Sequence, residues 1–219
     1  MLEPLSRAIA DLELEKAASL VNEYVDKRFN AVDIIESCRI GVELVGKRYQ
    51  AGEYYLADLV MSEAIFKELM EIIEPHLVKV VDHEQQNLAP HVLIGTIQGD
   101  IHDLGKSIVI YLLRSSGFIV RDLGVDVSIE DFVKEAKSSS APIIGICFLL
   151  TNCVSTVKEL IDTLEKEGIR NNATVVIGGY AADEATRNYV GADYSATTTA
   201  NVIPLFESII KLNEVNRDR

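Results

Sequence analysis

The sequence predicts two structural classes in one chain: a four-helix bundle over residues 1–86, then an α/β domain over 87–219 with a doubly wound, five-stranded parallel sheet. Three observations carry this. Residues 1–86 contain no glycine-turn-strand punctuation and repeat apolar residues at helical spacing. From His91 onward, short continuous apolar runs alternate with helical stretches. Continuous runs, in place of an apolar-polar alternation, mark strands covered on both faces, as in parallel sheets.

In the first half, "LADLVMSEAIFKELMEIIEPHL" places Ile65, Leu69, Ile72 and Ile73 on one stripe. "NAVDIIESCRIGVELVGKRYQAGEYY" predicts an earlier helix ending near Gln50, with a turn around Gly52. Each stripe must be buried against another, and a bundle of about four helices is the economical solution. The polar stretch "DHEQQNLAP", 82–90, reads as a linker closed by proline. Strands are expected at 92–97, 118–124, 142–148, 174–179 and 192–196, with helices near 105–116, 129–138, 153–167, 181–189 and 200–213. Such a pattern is flavodoxin-like, and ligands of that architecture sit at the carboxyl ends of the strands.

Composition narrows the functional classes. The formal net charge of −13 opposes a nucleic-acid surface, because phosphate binding draws on clustered Lys and Arg. No apolar run approaches a membrane span, and "MLEPLSRAIADLELEKA" lacks the apolar core of a signal peptide. Cys38, Cys147 and Cys153 are odd in number and lack CxxC spacing, which fits reduced thiols in a cytoplasm.

The chemistry concentrates in "VLIGTIQGDIHDLGKSIVIYLL", 92–113. Gly105-Lys106-Ser107 imitates a phosphate loop, yet Gly99 and Gly105 enclose five residues where a Walker A motif has four. Asp100 and Asp103 in that loop repel an anion, so Lys106 and Ser107 read as the first turn of a helix. The dinucleotide fingerprint G-x-G-x-x-G is absent as well. An Asp-x-His pair does something else well. Asp100 can hold one ring nitrogen of His102 while the other nitrogen meets a ligand. Two more strand ends add to it. "GICFLLTNC" brings Cys147, Leu149, Thr151 and Cys153 to the mouth of the third strand, and "VIGGY" ends the fourth in Gly178-Gly179 before Tyr180. Paired glycines there open space for a large, flat-edged group.

Together Asp100-x-His102-x-x-Gly105, the segment at 147–149 and Gly178-Gly179 resemble the cobalamin-binding module. The likeness is to corrinoid methyl-carrier proteins of the methanol, methylamine, betaine and aryl-ether methyltransferase systems, and to the cobalamin-binding region of methionine synthase. It covers nearly the whole chain, since those proteins also set a helical cap before a Rossmann-like domain. "AGEYYLADLVMSEAI" is similar to the cap segment G-x-x-F-L-P, with Tyr55 at the aromatic position and Ala57 in place of proline.

The resemblance implies cobalamin bound base-off/His-on, as methylcobalamin and cob(I)alamin, with His102 as cobalt ligand. The loop Gly99, Asp100, Ile101, His102, Asp103, Leu104 and Gly105 would cradle it. The detached nucleotide tail would enter a slot beside Gly178, Gly179 and Tyr180. Leu149 would pack on the tail, Cys147 and Thr151 would offer it polar contacts, and Cys153 would continue the Asp100–His102 relay. Cys147 and Cys153 stand where relatives carry hydroxyl residues, and a thiol is a weaker hydrogen-bond partner. The helical half would cover the upper cobalt face and swing on the 82–90 linker. The implied partners are a substrate-specific methyltransferase, a methylcorrinoid:acceptor methyltransferase and a reductive activase, with no nucleic acid and no membrane. On this reading the chain is a carrier subunit and not a complete enzyme. A cobalamin-dependent sensor is the alternative that the same motifs allow.

Overall fold

The computed structural model describes residues 2–77, 91–196 and 201–217. The chain forms two compact units, Met1–Val80 and Val81–Arg219. The linker expected at 82–90, and with it the boundary expected at 86/87, lies outside the described residues.

The first unit is the four-helix bundle: α1 (Glu3–Ala10), α2 (Leu14–Asp26), α3 (Ala31–Gln50) and α4 (Leu56–Leu77). Pro4 opens α1, where its missing N–H costs no helical hydrogen bond. Asn30 caps α3 by accepting from the Val32 N–H at 2.9 Å. Helices α1 and α3 approach closely because residue 41 is glycine: a Cβ there would lie 2.6 Å from the Ile9 Cβ. The contact is pinned by polar groups, with Ser6 Oγ donating to the Ser37 carbonyl at 2.8 Å. Ile65, Leu69 and Ile73 of the predicted α4 stripe are buried, joined by Phe66 and Met70, while Ile72 is half-buried.

The second unit holds β1 (Val92–Thr96), α5 (Leu104–Ser115), β2 (Val120–Asp122), α6 (Ile129–Ser139), β3 (Ile143–Cys147), α7 (Val154–Lys166), β4 (Thr174–Gly178), α8 (Glu184–Val190), β5 (Tyr194–Ala196) and α9 (Val202–Arg217). The five strands are parallel in the order β2-β1-β3-β4-β5. One face carries Leu93, Ile144, Ile146, Val175 and Ile177 against Phe132 of α6 and Val157, Leu160, Ile161 and Leu164 of α7. The other carries Val92, Ile94, Ile143 and Val176 against Ile110 and Leu113 of α5 and Phe206 and Ile209 of α9. This two-faced burial is why the strands read as unbroken apolar runs. Among the described residues, no helix is long and apolar enough to cross a membrane.

Element ends differ from expectation for local reasons. β2 is confined to Val120–Asp122 because it is an edge strand paired only with β1. α8 starts at Glu184, not 181: Asp183 caps it by accepting from the Thr186 N–H, and Ala182 is turned into the core. α9 continues to Arg217, past the expected 213.

Candidate functional site

In the order β2-β1-β3-β4-β5 the chain crosses from one side of β1 to the other after β2, so the carboxyl ends of β1 and β3 form the switch point where such sheets open a crevice. The loop between β1 and α5 rises from that edge. Asp100 sits at its base, fully buried. Its Oδ1 accepts from the His102 backbone N–H at 3.0 Å and meets the ring Nδ1 at 2.6 Å. Its Oδ2 accepts from the backbone N–H of Leu149 at 2.6 Å and of Leu150 at 3.1 Å. Burial alone would raise the Asp100 pKa. The amides of His102 and Leu149, the His102 ring and the Leu150 amide outweigh it, and hold the carboxyl below its ordinary value.

An ionised Asp100 fixes the imidazole. A carboxylate can only accept, so Nδ1 is the donor, and in the neutral tautomer of the ring the lone pair lies on Nε2. The His102 side chain is half exposed, its carbonyl held by Thr96 Oγ1 at 3.0 Å. The loop is tied from its other side too. Asp126, in the connection after β2, accepts from the Gly99 N–H at 2.8 Å, and its own N–H donates to the Asp100 carbonyl at 3.0 Å.

Beside His102 a slot of about 160 Å³ runs down between the sheet edge and helices α5 and α9. Gly105, Lys106, Cys147, Leu149, Gly178 and Gly179 line its upper part, and Ile94, Val109, Val176 and Phe206 are among the apolar residues of its walls. Gly179 is required twice over. Its φ is +117°, and a Cβ would lie 2.0 Å from the Phe148 carbonyl oxygen. Large apolar side chains stand in the open nearby in sequence: Leu149 of the lining is 42% exposed, Ile101 of the loop 72% and Tyr180, next to Gly179, 86%. Such an array of apolar groups around one exposed imidazole suits a broad, flat ligand.

Of the residues predicted from sequence, His102, Gly105, Cys147, Leu149, Gly178 and Gly179 are thus brought to one slot. Gly99, Asp100, Ile101, Asp103 and Leu104 form or end the loop above it. Thr151 and Tyr180 are exposed and are not among the slot's lining residues. Tyr55 precedes α4 in the helical unit, 77% exposed. Cys153 does not extend the relay. It is buried in the core with its Sγ 3.9 Å from Asn152 Oδ1, and the second Asp100 oxygen is taken by backbone amides instead. Cys147 lines the slot as a neutral thiol, pushed up to about 12 by burial despite the opposing Lys106 ammonium.

Lys106 is more than the first turn of a helix. It is buried, and its Nζ meets both Asp122 oxygens at 2.6 and 2.8 Å, joining α5 to the end of β2. That ammonium is therefore already neutralised, in keeping with the rejected phosphate-loop reading. Asp122 and Asp126 were not legible as site residues, because their partners lie 16 and 27 positions away.

Could a corrinoid be held here? The donor set fits: an imidazole oriented by a buried carboxylate, beside a slot walled by apolar residues and glycines.

Comparison with known proteins agrees. The family "B12 binding domain" matches residues 90–203, and a second family of the same description matches residues 1–74. A corrinoid protein of Desulfitobacterium hafniense is 34% identical over 211 residues, covering 96% of this chain and 97% of its own. Dimethylamine corrinoid protein 1 of Methanosarcina mazei is 31% identical over 204 residues, covering 93% of each chain. The solved structure of the Methanosarcina barkeri monomethylamine corrinoid protein superposes with a TM-score of 0.76 at 29% identity, covering 92% of this chain and 94% of that one. The chain belongs to the corrinoid proteins built on the B12 binding domain.

Proposed function

We propose that this chain is a methyl carrier: it binds cobalamin base-off with His102 as the lower cobalt ligand, and presents the bound methyl group to two partner enzymes in turn. One observation carries the reading. Asp100 clamps Nδ1 of a half-exposed imidazole beside a slot walled by Gly178 and Gly179. The corrinoid supplies, when bound, a cobalt to which a methyl group attaches and from which it is passed on.

The chain's own residues do the rest. Asp100 keeps the proton on Nδ1 and the Nε2 lone pair available, and a proton taken up at Nε2 withdraws that lone pair. His102 would thereby hold the metal through a nitrogen it can also withdraw, which suits a carrier. The slot would hold the detached nucleotide tail, with its apolar walls excluding water from around it. A substrate-specific methyltransferase would load the methyl group, a methylcorrinoid:acceptor methyltransferase would remove it, and a reductive activase would restore the carrier. Homologues named for methylamine substrates support the first of these partners. The acidic chain and its three free cysteines fit a reducing cytoplasm.

The test is reconstitution of the full chain with cobalamin, with ¹⁵N-labelled histidine in a parallel sample. In the Co(II) state the paramagnetic resonance spectrum should show coupling to one histidine nitrogen, changed by the label and lost in His102→Ala. An unaltered spectrum in that variant overturns the assignment. Demethylation of the methylated protein by an acceptor enzyme separates a carrier from a sensor, which would retain the group.

A further inference from the structure

We propose that the slot selects corrinoids whose detached lower base has an apolar edge, such as a benzimidazole or a phenol, over those carrying a purine, because position 147 offers the base no hydroxyl. The inference rests on the reading that the slot receives the nucleotide tail. Its basis is the engagement of the slot's polar groups. Lys106 Nζ is taken by both oxygens of Asp122. The Leu149 N–H is taken by Asp100. The carbonyls of Cys147, Gly178 and Gly179 accept from the N–H groups of Ile97, Phe148 and Ala182. His102 Nδ1 faces Asp100, and Nε2 is reserved for the metal.

Among the lining side chains that carry a polar group, His102 and Lys106 are thus engaged, and the third is the Cys147 thiol, for which no hydrogen bond is found among the described residues. A thiol is a weak donor and a weak acceptor. Below it, Ile94, Val109, Val176, Val202 and Phe206 offer only hydrocarbon. A cresol ring presents only hydrocarbon to such walls, and a dimethylbenzimidazole presents its methyl-bearing ring and a single free ring nitrogen. The exocyclic amine and ring nitrogens of adenine are hydrogen-bonded to water in solution, and here would find no comparable partner. An apolar pocket discriminates against an added polar group by roughly 10- to 100-fold.

The experiment measures dissociation constants of the full apo chain by the change in visible spectrum, for four probes: cobalamin, its p-cresol counterpart, its adenine counterpart, and cobinamide, which lacks nucleotide and base. Cobalamin and the cresol compound should bind roughly 10- to 100-fold more tightly than the adenine compound. Cys147→Ser should narrow the cresol-to-adenine ratio by about threefold or more, through tighter adenine binding, because the cresol ring has no nitrogen for the new hydroxyl to meet. Cys147→Ala, which adds no hydroxyl, should leave the ratio as in the parent and guards against a folding defect in the serine variant. Equal affinities for the three complete corrinoids, or a ratio unmoved by Cys147→Ser, overturns the inference while leaving the tail slot intact. Cobinamide should bind more weakly than the preferred cobamides. If it binds as tightly as cobalamin, the tail does not enter the slot, and the reading beneath the inference fails with it.

Discussion

Replacing Asp100 by asparagine changes one oxygen into an amide and nothing in volume, so it isolates the acceptor chemistry of the clamp. The carboxylate receives hydrogen bonds from three backbone amides and one ring nitrogen, two contacts per oxygen. An asparagine must turn its NH₂ toward one of these pairs. Facing Leu149 and Leu150, it leaves two backbone donors unanswered. Facing His102, it opposes the backbone N–H and can donate to Nδ1, which moves the ring proton to Nε2 and removes the lone pair from the metal side. Each hydrogen bond lost to a charged acceptor is worth about 1.5–3 kcal/mol, so the variant should lose at least about 3 kcal/mol. For a chain of this size that lowers Tm by about 6–12 °C. Loss of the carboxylate behind a ligating histidine should also weaken corrinoid binding by about 10- to 100-fold. Calorimetry of the apo protein and a spectral titration with cobalamin measure the two effects. The pH dependence supplies a third. The folded-state pKa of Asp100 lies below the ordinary 3.8, so its contribution to stability is complete above 3.8 and is lost as pH falls through the lower, folded value. Asp100→Asn should remove that acid-limb loss. A variant that melts within 2 °C of the parent and binds cobalamin equally well refutes the clamp.

Two glycines of the slot should behave oppositely. Gly179→Ala sets a Cβ 2.0 Å from a backbone oxygen at positive φ, and should cost about 3 kcal/mol or more in thermal or urea unfolding. Gly105→Ala meets no atom within 4 Å and lies in α5, so it should hold or gain up to about 1 kcal/mol. Its methyl group nonetheless stands on the lining of the slot, so cobalamin affinity should fall while stability does not. Asp126→Ala removes the acceptor of the Gly99 N–H and frees the loop on the β2 side, at a cost of about 1 kcal/mol. Its reconstituted spectrum should shift toward the form without histidine at a pH where the parent is fully ligated, and an identical pH profile would show that Asp126 does not position the ring.

The difference between what was and was not legible follows from the range of each contact. Asp100 and His102 are two residues apart, so their clamp could be read from the spacing alone. The halves of the chain could be read because helices and doubly covered strands leave different apolar periods. Lys106–Asp122 and Asp126–Gly99 could not, since those pairs exist only once β2 lies against β1, and no spacing announces that order. The Cys153 relay was misplaced for the same reason. The resemblance implied a side-chain partner at 153, whereas parallel pairing of β1 and β3 delivers the amides of Leu149 and Leu150 to the carboxylate without any side chain.

That last substitution of backbone for side chain explains how the chain can carry a cysteine at 153. Once Asp100 is saturated by amides, the residue behind it is free of hydrogen-bonding duty and can serve as core, and Cys153 is buried among Ile97, Phe148 and Val157 in the same cluster. The protection runs one way only. Backbone amides cannot be mutated away, but they are positioned by the chain after β3, which in turn is held where Gly179 lets the Phe148 carbonyl pass. The geometry of the ring nitrogen is therefore coupled, through Asp100, Leu149 and Phe148, to the wall of the slot beside it. The same few residues that shape room for a nucleotide tail also fix the imidazole, so strain introduced at Gly179 should register at His102 as well as in the slot.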